Sequence, residues 1–131
     1  MKSKLDYVII ADFISPSVKE RIMYELSSPK KRTKALERLS HNMESVIRTD
    51  YIYCKGKVIN DTIKSEIKKS GSEFIVLSLE YQQGEKMLIE EAFDYLTYDC
   101  IFAVMVNENW LIIKPEHEGG EGLFYVLRKK Q

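Results

Sequence analysis

Two nearly continuous apolar runs, Phe74 to Leu79 and Ile101 to Val106, constrain this chain more than any other feature. A strand that is apolar at every position has both faces covered, so each run predicts a central strand of a sheet with layers on both sides. Between them, residues 85 to 98 place Leu88, Ile89, Ala92, Phe93 and Leu96 on one helical face and turn Glu90, Glu91 and Asp94 away. That pattern predicts a crossover helix, and a crossover helix joins parallel strands by a right-handed connection. The expectation is therefore a β-α-β unit with the two runs parallel.

Around this unit the reading is of an α+β fold on a mixed sheet of four to five strands. Asn107-Glu108-Asn109 suits a tight turn into a strand at Trp110 to Ile113, and Pro115 to Gly122 reads as a loop before a last strand at Leu123 to Leu127, which makes a C-terminal antiparallel meander. Upstream, Leu5 to Ile10 is a short strand-like stretch and Tyr51 to Cys54 another. Ser15-Pro16 signals a helix start, with Val18, Ile22, Met23 and Leu26 on one stripe. Ser28-Pro29 signals a second start, and Ala35, Leu36, Leu39, Met43, Val46 and Ile47 then mark one face of a helix over 29 to 47. A further helix is capped at Asp61, carries Ile63 and Ile67, and ends at Ser70-Gly71. These two or three N-terminal helices pack on the sheet, and with no linker or repeat the 131 residues read as a single domain.

No apolar run approaches the roughly 20 residues of a membrane span, and the segment after Lys4 is too short for a secretory leader. Cys54 and Cys100 lie in strand-like runs without CxxC spacing, which reads as buried free thiols in a reducing compartment. The expected location is the cytoplasm.

A formal net charge of zero conceals blocks of opposite sign. Residues 1 to 72 carry 15 Lys or Arg against 9 Asp or Glu, and residues 73 to 121 carry 2 against 11. Such polarisation sets up local fields that select partners when the total charge predicts nothing. The concentration of bases is greatest at Lys30, Lys31, Arg32, Lys34 and Arg38. A helix N-terminus carries about half a positive charge, so bases in its first turn are opposed by the macrodipole and call for an anionic partner. These five residues form the candidate anion-binding site. Arg32 falls toward the apolar side of the helix, where it is expected to meet an Asp or Glu from residues 73 to 121. Lys34, Arg38, His41 and Arg48 continue as a basic stripe, with Tyr51, Tyr53, Lys55 and Lys57 after them, the interleaving that single-stranded nucleic acid requires. The neutral total and the acidic block oppose that reading.

Glu116, His117, Glu118 and Glu121 are metal-ligand types in one loop, but alternation along an extended chain keeps His117 from converging with its neighbours. No metal is expected. Neither histidine has a nearby Ser or Cys that suggests a catalytic pair, Glu90 and Glu91 are about 100 degrees apart on a helix, and no pattern calls for a cofactor. The reading that follows is a non-catalytic protein-interaction or regulatory domain with a charged protein partner or a second copy of itself. The alternatives are an anion- or nucleic-acid-binding module using the helix over 29 to 48, and a small-molecule enzyme of unspecified type.

Overall fold

The computed structural model describes residues 8 to 56, 60 to 71, 73 to 78, 85 to 95, 102 to 115 and 123 to 129. A 3-10 turn, Val8–Phe13, leads into α1 (Lys19–Ser27), α2 (Arg32–His41) and α3 (Met43–Val46). Then follow β1 (Ile52–Gly56), α4 (Asp61–Lys69), β2 (Glu73–Ser78), β3 (Glu85–Leu88), α5 (Ile89–Tyr95), β4 (Ala103–Val106), β5 (Trp110–Lys114) and β6 (Phe124–Arg128). The strands form a six-stranded sheet in the order β1-β6-β5-β4-β2-β3, and every pairing is antiparallel. Helices plus sheet make this an α+β fold, with one strand more than expected and no parallel pair.

Alternation along the strands explains the apolar runs. Val104, Val106, Leu111, Ile113, Tyr125 and Leu127 face one side and pack under α1, α2 and α3 through Ile22, Leu26, Ala35, Leu36, Leu39, Met43 and Val46. Ala103, Met105, Trp110, Ile112, Phe124 and Val126 face the other and pack under α4 and α5 through Ile67, Ile89 and Ala92. Burial on both faces therefore follows from the sequence as expected, and strand direction does not.

The parallel β-α-β unit is corrected by β3. Residues 85 to 88 extend instead of forming the first turn of the helix, and they run back along β2 with Phe74 opposite Met87. Lys86 and Leu88 point out while Met87 and Ile89 point in, a period of two that the helical pattern of the neighbouring residues obscures. Because β3 has reversed the chain, α5 delivers β4 to the far side of β2 in the antiparallel sense. The crossover thus joins β3 to β4, which flank β2 and run parallel to each other without pairing. Residues 96 to 98 of the expected helix lie outside the described residues.

Smaller corrections have local causes. Val8 to Ile10, read as strand, is part of the 3-10 turn and buries Ile10 and Phe13. Residues Pro16 to Val18 form a turn, so α1 starts at Lys19 without a side-chain cap. The N-cap of α4 is Asn60, whose side-chain oxygen accepts from the Ile63 amide at 2.9 Å, one residue before Asp61. The turn at 107 to 109 holds as read: Asn107 Oδ1 accepts from the amides of Asn109 at 3.0 Å and Trp110 at 2.8 Å. Among the described residues no helix is long and apolar enough to cross a membrane.

Candidate functional site

The five predicted basic residues sit at the corner between α1 and α2. Ser28 is extended, as a residue before proline must be, and its carbonyl accepts from the Lys31 amide at 3.0 Å and the Arg32 amide at 2.9 Å. Pro29, Lys30 and Lys31 therefore form a turn, and α2 begins at Arg32 with Lys31 as an N-cap that makes no side-chain hydrogen bond. This corrects the helix start expected at Pro29 with Ser28 as its side-chain cap. Lys30 and Lys31 thus lie on the turn ahead of the helix, whereas Arg32 and Lys34 stand in its first turn, where no acid offsets the positive end of the macrodipole.

Lys30, Lys31 and Lys34 are exposed, and Arg32 and Arg38 are half-buried. The Lys31 ammonium lies 5.0 Å from the ring centroid of Tyr24, a residue 60% exposed on α1. Among the described residues Lys30, Arg32 and Lys34 form no ion pair. The expectation that Arg32 meets a carboxylate from residues 73 to 121 is not met by the described residues, and the sheet supplies the reason. The acidic helix α5 packs on the opposite face from α1 and α2. The guanidinium that does find a buried carboxylate is Arg38, whose Nη1 donates to Glu25 of α1. Glu25 is only 6% exposed and lies between Ile22 and Leu26 on the buried stripe. An acid at an apolar position of that stripe was the signal for this pair.

The basic stripe does not continue as one helix face. Asn42 interrupts it, and Arg48 comes after α3 has ended. Its guanidinium donates to Asp50 at 2.9 Å and to the Tyr51 hydroxyl at 2.8 Å and lies 4.1 Å from the centroid of the Tyr51 ring. The hydrogen bond to Asp50 holds the Arg48 pKa above its usual value. His41 is exposed and lines an open cleft of about 350 Å³ at the α2–α3 break with Glu44, Ser45, Pro115 and Tyr125. Glu116, His117, Glu118 and Glu121 lie outside the described residues, as does Cys100. Among the described residues no group of three or more His, Cys, Asp or Glu side chains converges to hold a metal ion. Burial pushes the Cys54 thiol pKa up, which disfavours the reactive thiolate.

A second constellation escaped the sequence reading. In β1 the register against β6 shifts between Ile52 and Cys54, so Tyr53 is the extra residue of a bulge. The bulge turns Tyr53 edge-on to Trp110, with ring centroids 5.3 Å apart at 87°. Arg128, opposite Trp110 in the β5–β6 ladder, places its guanidinium 5.9 Å from the Tyr53 centroid and 5.5 Å from that of Trp110. The Tyr53 hydroxyl donates to Glu66 of α4 at 2.6 Å, and the Trp110 indole N–H donates to Ser70 Oγ at 2.6 Å. That first bond, made to a carboxylate, raises the Tyr53 pKa. Contacts so distant in sequence leave no local signal. Compared with family models, curated proteins and solved structures, the chain matches none.

Proposed function

We propose that the chain is a non-catalytic binding module that engages an acidic protein partner through the α1–α2 corner. One observation carries the reading. Arg38, Arg48, Lys68 and Lys129 each hold a carboxylate of this chain, whereas Lys30, Arg32 and Lys34 on the corner hold none among the described residues. The acidic block is partly matched in place, since Lys68 of α4 meets Glu90 of α5 at 3.2 Å. Positive charge at the corner therefore remains for a partner outside the chain, where it acts chiefly on association rate and orientation. An acidic polypeptide suits the corner better than single-stranded nucleic acid. Lys31 covers a face of the Tyr24 ring that a base would stack on, and the formal total charge of zero lacks the excess that a nucleic-acid backbone selects.

The test is a fluorescence titration of the full chain with a labelled Asp/Glu-rich peptide and, separately, with single-stranded RNA of equal length. Peptide binding that weakens steeply with salt and is lost in the K30E/K31E/K34E variant supports the reading. Tighter binding of RNA than of peptide would replace it with the nucleic-acid module, and no peptide binding at low salt would overturn it. Light scattering identifies the case in which the acidic partner is a second copy, because the mass then falls to that of the monomer on the same triple substitution.

A further inference from the structure

We infer that the cleft between the C-terminal end of α4 and the β5–β6 ladder is a binding site for a small-molecule oxyanion, a phosphate or a carboxylate, held by the Arg128 guanidinium. The cleft has a volume of about 300 Å³ and is lined by Glu66, Lys69, Ser70, Asn109, Trp110, Arg128 and Lys129. Two rings set at 87° to one another fix the position of the guanidinium, and contact with rings satisfies its charge without using its N–H donors. Arg128 is exposed and forms no ion pair among the described residues, so its donor fork is pre-organised and open to an acceptor. A planar fork held in this way matches the two oxygens of a carboxylate or phosphate, and little conformational freedom is left to lose on binding.

The remaining charges are arranged to leave that fork free. Glu66, the carboxylate on the cleft wall, accepts the Tyr53 hydroxyl, and Lys129 is drawn out to Asp12 at 2.6 Å. Lys69, exposed on the last turn of α4, is without an ion pair among the described residues and supplies a second positive charge. With Lys68 it also offsets the negative end of the helix dipole, which would otherwise repel an anion at this position. The site is distinct from the α1–α2 corner, and each stands or falls without the other.

Trp110 is the single tryptophan of the chain and lines the cleft, so the protein carries its own reporter. The experiment titrates the full chain with sodium phosphate and, in a separate arm, with sodium succinate, at constant ionic strength set by sodium chloride. Trp110 fluorescence and calorimetric heat are both recorded. A saturable response with a Kd of about 1 mM or tighter is expected from at least one anion. A response to phosphate alone assigns the ligand to phosphates, and a response to succinate alone assigns it to carboxylates. R128K keeps the charge and loses the fork, so it weakens binding about tenfold. K69Q weakens it by less, and K55Q, outside the cleft, leaves it unchanged. Persistence of the response in K30Q/K31Q/K34Q separates this site from the corner. Circular dichroism confirms that each variant is folded. Absence of both the fluorescence change and the heat with either anion overturns the inference, as does wild-type affinity in R128K.

Discussion

Replacing Arg38 by alanine leaves the Glu25 carboxylate in the α1–α2 interface without its partner. The Glu25 side chain is 8% exposed and that of Arg38 is 28% exposed. Removing one member of a buried pair costs about 3 to 5 kcal/mol, because the desolvated charge that remains is uncompensated. Arg38 reaches solvent with part of its guanidinium, which places R38A at the low end, about 3 kcal/mol. With an unfolding entropy of about 2.1 cal/mol/K per residue, the melting temperature falls by roughly 10 °C. E25A is milder, about 1 kcal/mol, since the arginine it releases can turn to water. The asymmetry distinguishes a buried carboxylate from a surface pair, for which both truncations fall within about 1 kcal/mol. Guanidinium unfolding followed by far-UV circular dichroism measures each term, and the double-mutant cycle yields a coupling of about 2 kcal/mol. E25M/R38M, which removes both charges and retains volume, unfolds near the wild-type midpoint. R32A, with no carboxylate to strand among the described residues, stays within about 0.5 kcal/mol. The reasoning fails if R38A is as mild as R32A, or if the cycle shows no coupling.

Two further outcomes follow from single hydrogen bonds. N60A removes the cap on the Ile63 amide and lowers stability by about 1 kcal/mol in the same unfolding assay, whereas D61A, one residue inside the helix, costs less. The Tyr53 pKa lies above the usual phenol range because its hydroxyl donates to Glu66, so the ultraviolet difference titration between wild type and Y53F has its midpoint above that range and moves down in E66Q. A folded-state pKa above the unfolded one contributes stability in full below the unfolded value and loses it as pH rises through the folded value, so the bond's contribution is constant through neutral pH and falls away only at alkaline pH.

The layers of this fold are legible in the sequence and the strand directions are not, for one physical reason. Side-chain alternation depends only on local period, so Ala103 to Val106 reports that both faces of its strand are covered. Direction depends on what reverses the chain, and that role belongs to Glu85–Leu88. In this segment an extended pattern and a helical one share Ile89, and antiparallel pairing along Phe74 to Val76 decides between them. The same distinction separates the two candidate sites. The basic corner is continuous in sequence and can be read from it. Tyr53, Glu66, Trp110 and Arg128 come from four separate elements, and only the bulge in β1 together with the β5–β6 register brings them into contact. Glu25 stands between these cases, visible as an acid on an apolar stripe while its partner is fixed only by the packing of α1 on α2.

Linear charge blocks become surface fields only after the topology has acted on them. The order β1-β6-β5-β4-β2-β3 places α4, from the basic block, and α5, from the acidic block, on one face of the sheet, where Lys68 meets Glu90. It likewise brings Lys129, near the C-terminus, to Asp12 in the first turn. Both contacts neutralise charge that the sequence presents as separated. The α1–α2 corner escapes because the sheet itself stands between it and α5, and at close range a sheet with side chains on both faces excludes the direct approach that an ion pair requires. What a partner meets at this corner is therefore charge that the internal matching leaves over, the three lysines and Arg32, and not the basic block of the linear chain as a whole. Charge reversal at Lys30, Lys31 and Lys34 consequently bears on binding more than reversal of Lys68 or Glu90, where the change also breaks an intramolecular pair.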